Sequence, residues 1–231
     1  MDGSRRAPLA ADPRLESLLF SWADPALVSD LQRHYLRFFA EADRVLDVGC
    51  GRGIFLDLLR DAGRVGVGID ASAEAAAATR ARGYDVHVGD AVNSIRQLAV
   101  RGERFGGVFC SHVIEHMLPS DAIDLVYALA EVVGPGGRVV LVTPNSKNLQ
   151  VIRETFWLDP THVRPYPRPL LELLGRAAGL TVESSFDDPN SFNGSKRLAA
   201  RWLRALRGFV IGGQFTDAMD SVVVFRKSST G

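Results

Sequence analysis

Short apolar runs recur along this chain, each followed by a glycine or acid-bearing turn and then by apolar positions at helical spacing. The runs Arg44–Val48, Val65–Ile69, Tyr84–Val88, Phe105–Cys110, Arg138–Thr143, Leu180–Phe186 and Asp220–Arg226 predict seven strands. The first is apolar almost throughout, as in a strand buried on both faces. Between the strands the spacing predicts helices over Ile54–Asp61, Ala71–Arg82, the stretch from Gly89-Asp90-Ala91 to Val100, Pro119–Val133 and Pro169–Gly179. Strand and helix alternate, so right-handed crossovers give a doubly wound parallel α/β sheet.

Two further helices flank this pattern. Ala23–Ala42 opens with Asp24 as cap and Pro25 at the first helical position, and Leu27, Leu31, Tyr35, Phe38 and Phe39 make an apolar stripe. That stripe predicts packing on the sheet edge; in a sharper reading Trp22, His34 or Tyr35 touches a ligand. Ser195–Val210 sets Leu198, Trp202, Ala205, Leu206 and Phe209 against Arg197, Arg201, Arg204 and Arg207. Its basic face is either solvated or docks on an anionic acceptor or a membrane surface, a peripheral contact. The division that follows is a tail and helical cap over residues 1–43, then one domain over 44–231 with a helical insertion at about 187–217.

Composition narrows the function. The chain has 231 residues with 46% hydrophobic content, enough for one full core. Its 27 basic and 27 acidic residues cancel, so nothing global draws it to nucleic acid. No apolar run approaches the ~18 residues of a membrane span. The opening Met-Asp-Gly-Ser-Arg-Arg lacks the apolar core of a secretory signal. Cys50 and Cys110 stand at the ends of predicted parallel strands and read as free, buried thiols of a reducing compartment. A cytoplasmic protein is expected.

Candidate chemistry gathers at the carboxyl ends of the strands, where open α/β sheets bind ligands. Val-Leu-Asp-Val-Gly-Cys-Gly-Arg-Gly at 45–53 is a strand, a glycine turn and a helix start, a form suited to a nucleotide. Asp70, about 20 residues beyond, is placed to accept from both hydroxyls of a ribose; Ser72 could cap the next helix. Cys-Ser-His-Val-Ile-Glu-His at 110–116 follows the fourth strand. On a helical turn His112, Glu115 and His116 would face one way, and two imidazoles and a carboxylate there are costly to place by accident. His162 lies in the Pro-rich loop Trp157-Leu-Asp-Pro-Thr-His-Val-Arg-Pro-Tyr.

The 45–53 stretch resembles motif I of the class I S-adenosylmethionine (SAM) methyltransferases. The resemblance covers about residues 40–226. It implies a Rossmann-like sheet of order 3-2-1-4-5-7-6 with the seventh strand antiparallel. It also implies SAM as cofactor, held by Asp47, Gly49, Cys50, Gly51 and Gly53, by Asp70 and Ala71 at the ribose, by Gly89, Asp90 and Ala91 at the adenine, and by Ser111. Asp90 as a plain helix cap is the alternative. Methyl transfer from a sulfonium needs an aligned nucleophile and removal of its proton.

Cys-Ser-His-Val-Ile-Glu-His is similar to the Glu-x-x-Glu-His motif of ubiquinone-type O-methyltransferases and to that of small-RNA 2′-O-methyltransferases. In the latter, a further His downstream of Thr-Pro-Asn completes a divalent-metal site. Glu115, His116, Thr143-Pro144-Asn145 and His162 occur here in that order. The resemblance implies Glu115, His116 and His162 as ligands of Mg²⁺ or Mn²⁺. It fails at His112, where those families have Glu, and Mg²⁺ prefers oxygen. Without metal, His116 or His112 would serve as general base beside Glu115. Asp159, His162, Arg164, Tyr166 and Trp157 read as a pocket-facing set suited to a hydroxylated ring. The expected acceptor is a hydroxyl of a sugar, polysaccharide or similar polar metabolite, with a quinone-type phenol next. A SAM-binding subunit without turnover is a third reading, and a homodimer is compatible with all three.

Overall fold

The computed structural model describes residues 24–191 and 216–229. Seven strands form one sheet of order β3-β2-β1-β4-β5-β7-β6. They are β1 (Arg44–Val48), β2 (Val65–Asp70), β3 (Asp85–Val88), β4 (Phe105–Ser111), β5 (Val133–Pro144), β6 (Leu180–Asp187) and β7 (Asp220–Lys227). β1 to β5 pair in parallel, and β7 enters antiparallel between β5 and β6. Order and direction are those the family resemblance implied.

The helices are α1 (Pro25–Arg33), α2 (Ile54–Asp61), α3 (Ala73–Arg80), α4 (Ala91–Val100), α5 (Pro119–Val132), α6 (Leu149–Arg153) and α7 (Arg168–Ala177). Side chains alternate across the sheet and feed two cores. Leu46, Val48, Val108 and Cys110 face α4, α5 and α7 with Ile95, Leu125, Val126, Leu129 and Leu171. Val45, Phe109 and Val140 face the other way, against Phe39, Phe55, Leu56 and Leu59. Phe55 and Phe109 stack with centroids 4.0 Å apart, a contact worth about 0.5–1.5 kcal/mol beyond its area. Both cysteines are free and buried, as expected. No helix among the described residues is long and apolar enough to cross a membrane.

Three expectations change. The N-terminal helix is α-helical only to Arg33, buries none of its side chains, and tightens into a 3₁₀ turn over His34–Phe39. The packing falls to that turn: Tyr35 donates to Asp188 Oδ2 at 2.6 Å, and Phe39 lies where a Cβ on Gly107 would come within 2.3 Å of its ring. Tyr35 is thus tied to Asp188, just past the end of β6, and His34 is exposed. Second, β5 begins at Val133 rather than at the predicted Arg138, so Gly134-Pro-Gly-Gly137 belongs to the strand. These residues form an irregularity inside β5, between the pairs Phe105–Val133 and Gly107–Arg138. Third, α3 begins at Ala73, because Ser72 caps it by accepting from the Ala75 amide. Trp22, residues 1–14 and the predicted 195–210 helix lie outside the described residues.

Candidate active site

The glycine turn is built by its neighbours. β1 ends at Val48; Gly49, with φ +76°, then carries the chain over the end of β2, and the Gly49 and Cys50 amides donate to Ile69 O at 2.8 and 3.0 Å. A Cβ on Gly49 would meet Val113 Cγ2 at 2.4 Å. Glycine there admits the loop after β4 as much as it bares the backbone. Asp70 closes β2 and accepts from the Gly51 amide through Oδ2 at 2.6 Å and from the Ser72 amide through Oδ1 at 2.9 Å. Burial raises its pKa against those two bonds. A carboxylate has about four lone-pair sites, so two remain for a ligand.

Asp47 lies on β1, 3% exposed. Burial first, and then the charge of Asp70, push its carboxyl up to about 8. Asp90 caps α4 by accepting from the Asn93 amide at 2.9 Å, the alternative weighed for it, and it lies beside Gly89, Ala91 and the buried Val92. Ala71 is exposed, and Ser111 is the last residue of β4.

The stretch after β4 departs from the single helical turn the spacing predicts. His112 adopts φ +54°, a conformation costly for a side-chain-bearing residue, and only Ile114–His116 form a short 3₁₀ turn. His112 is therefore turned apart. Its Nδ1 lies 3.0 Å from Glu115 Oε1 and its Nε2 3.4 Å from Asp220 Oδ1. Loss of water works against its charge, but the Asp220 and Glu115 carboxylates outweigh this and push it up to about 9. Glu115 is wholly buried; its Oε2 accepts from Thr143 Oγ1 at 3.1 Å. Burial would raise the Glu115 carboxyl, yet the His112 bond and charge hold it below the ordinary value.

His162 reaches this place because its loop is stitched down. The Val163 and Arg164 amides both donate to Glu115 O, at 2.8 and 3.3 Å. Among the described residues, Glu115, His116 and His162 form a cluster whose ligand atoms all lie within 4.8 Å of one another. The imidazole rings of His116 and His162 are 4.7 Å apart. His162 Nδ1 lies 2.6 Å from Phe156 O, which can only accept, so Nδ1 carries a proton, while Nε2 lies 3.8 Å from Asp159 Oδ2. Burial lowers the His116 pKa.

Other residues of the loop divide. Tyr166, expected to face the pocket, is 2% exposed and donates to Met117 O at 2.8 Å, because the ring is needed in the core. Trp157 is exposed, with Nε1 bonded to Ile152 O. Arg164 stacks over Tyr166. Two participants have no role in the sequence reading: Thr161 and Asp220. For Thr161 a signal existed, because Asp-Pro-Thr is a turn in which the Asp side chain accepts from the backbone two residues on. For Asp220 there was none. It is remote from His112 in sequence, and only the pairing of β7 with β5 brings it back to that edge of the sheet.

Residues 22–185, well over half of the chain, match the profile of the family described as "Methyltransferase domain". The chain is 36% identical over 108 residues to a "Ubiquinone biosynthesis O-methyltransferase" of Alkalilimnicola ehrlichii, covering 46% of this chain and 43% of that one. It is 31% identical over 141 residues to a "Probable S-adenosylmethionine-dependent methyltransferase" of Mycolicibacterium smegmatis, covering 61% of this chain and 53% of that one. The chain thus spans about half the length of these curated relatives. Among solved structures, a SAM-dependent methyltransferase from Archaeoglobus fulgidus superposes with a TM-score of 0.74 at 22% identity, covering 94% of this chain and all of that one, which shows the shared fold. With the family profile, the seven-stranded order and the glycine turn in agreement, this chain belongs to the class I SAM-dependent methyltransferases.

Proposed function

We propose that this chain transfers the methyl group of SAM to a hydroxyl oxygen of a small acceptor, with Glu115, His116 and His162 holding a divalent cation beside it. The observation that carries the reading is the convergence of these three side chains at the carboxyl edge of β4 and β5, next to the glycine turn.

The residues fit the cofactor. Asp47 and Asp70 are two acids in one desolvated place, and burial and mutual repulsion are what raise Asp47. SAM carries a sulfonium and an ammonium, and so the positive charge this place lacks; when bound it supplies a methyl already activated for displacement. Asp47 and the glycine turn would hold its methionyl part, and Asp70 its ribose. The three acceptor-side groups fit a cation too. His162 anchors through Nδ1, which leaves Nε2 to face a ligand beside Asp159 Oδ2 at 3.8 Å, and Glu115 is held as a carboxylate. A cation held there would polarise the acceptor oxygen and acidify its hydroxyl. Two imidazoles favour Mn²⁺, Fe²⁺, Co²⁺ or Zn²⁺ over Mg²⁺.

For the acceptor, the names of the curated relatives support a phenolic quinone precursor over the sugar that the sequence put first. The exposed Trp157, Leu158 and Val163 on the loop of His162 support an apolar ring as well. Incubation of the protein with SAM and a panel of catechols, simple phenols and sugars, scored by formation of S-adenosylhomocysteine, tests this. Turnover confined to the phenols is expected; turnover on sugars alone would reverse the choice, and none on any member would favour a SAM-binding subunit. With the responsive acceptor, exhaustive EDTA treatment should remove most activity and Mn²⁺ should restore it. Full turnover after chelation would remove the metal and leave His116 as a direct general base.

A pH signature follows from Asp47. Its folded pKa is raised, so its stabilising effect is complete below the unfolded value near 3.8 and is lost as pH rises through about 8. The cofactor-free protein should weaken over that window. A cationic ligand lowers this pKa again, so SAM binding at about pH 6.5, where the free carboxyl is still protonated, should release close to one proton. Binding enthalpies in buffers of different ionisation heat count it, and no buffer dependence would place Asp47 away from the cofactor.

A further inference from the structure

His116 sits on a hydrogen-bond chain that none of the roles above requires. Its Nδ1 lies 2.8 Å from Thr161 Oγ1. Thr161 Oγ1 in turn donates to Asp159 Oδ1 at 2.6 Å, and the Thr161 amide donates to the same oxygen at 2.8 Å. A hydroxyl has one proton and two lone pairs. Here the proton is drawn to a carboxylate, the stronger acceptor, at a length typical of a charge-assisted bond. What Thr161 then offers His116 is a lone pair, so Nδ1 must carry a proton.

We infer that Asp159 and Thr161 are positioning residues that fix His116 in the tautomer with a proton on Nδ1 and the lone pair on Nε2. The alternative tautomer would require the Thr161 hydroxyl to donate to Nδ1 and abandon Asp159. His162 likewise carries a proton on Nδ1, imposed by the Phe156 carbonyl. The two rings are 4.7 Å apart, each anchored through Nδ1, and His162 Nε2 lies 3.8 Å from Asp159 Oδ2. A metal ligand and a general base each need the Nε2 lone pair, so the relay serves His116 in either role. The inference rests on the reading that His116 acts toward the acceptor; the tautomer itself does not.

The test uses the full chain without metal, labelled with ¹⁵N at histidine. Long-range proton–nitrogen correlation should show His116 with a pyrrole-type Nδ1 and a pyridine-type Nε2. Thr161→Val keeps the shape, removes the acceptor, and should shift His116 toward the Nε2–H form. Thr161→Ser should restore the wild-type spectrum, and Asp159→Asn should give a mixture. Titration with Co²⁺ alone, followed by its visible absorption, should show affinity about tenfold weaker in Thr161→Val and recovered in Thr161→Ser, the range typical of groups that orient a ligand. An unchanged Nδ1–H signature in folded Thr161→Val, or an Nε2–H signature in the wild type, overturns the relay. Wild-type protein that takes up no Co²⁺ but shows the predicted tautomer pattern keeps the relay and removes the metal reading instead.

Discussion

Glu115→Ala is expected to abolish methyl transfer, with a loss of at least about 10³-fold in kcat, and to destabilise the fold by about 3–5 kcal/mol. The carboxylate is wholly buried and accepts from His112 and from Thr143. Its removal leaves an imidazolium facing a cavity and a hydroxyl without its acceptor. The same residue anchors the loop of His162 through its carbonyl, which alanine keeps, so the loop should stay docked. Glu115→Gln separates the two effects. It preserves volume and one acceptor oxygen, so urea unfolding should show a smaller loss, while Mn²⁺ affinity and turnover fall almost as far as in the alanine variant. Normal turnover in Glu115→Gln would take this side chain out of the site.

Asp70→Ala should weaken SAM by about 100-fold or more, equivalent to roughly 2.7 kcal/mol. Two contributions add. The carboxylate would give the ribose charge-assisted bonds of about 1.5–3 kcal/mol each. It also holds the Gly51 and Ser72 amides, at 2.6 and 2.9 Å, so its loss frees the turn proposed to bear the cofactor. Asp70→Asn keeps one acceptor oxygen and should fall between. Calorimetric titration with S-adenosylhomocysteine reads both variants, and a wild-type affinity in the alanine variant would move the ribose elsewhere.

The fold was legible because its signals are local. Near-continuous apolar strands, a glycine turn after β1 and acids closing β2 each follow from a few consecutive residues, and alternation of strand and helix then limits the topology. The acceptor side was legible in part. Glu115, His116 and His162 stand out by residue type and by the resemblance. Where His112 points does not, because a positive φ in a non-glycine residue has no sequence signature, and helical spacing was the natural assumption for 112–116. Tyr166 illustrates the converse: an aromatic in a polar loop reads as a ligand contact, yet its hydroxyl finds a carbonyl and its ring fills the core. Thr161 needed distances, since only the 2.6 Å bond to Asp159 settles which way its proton points.

The late entry of β7 has a consequence for how the molecule is made. The turn proposed to bear the cofactor is framed by β1 and β2, within residues 44–72. The proposed acceptor side waits for β7. Asp220 reaches His112, and the Ala218 carbonyl accepts from both Asn145 and Asn148, only when β7 has slid between β5 and β6. Contacts of such long sequence separation form late, because loop closure precedes their reward. The half proposed to receive the methyl group is thus completed by contacts of far longer sequence separation than the β1–β2 turn proposed to bear its donor.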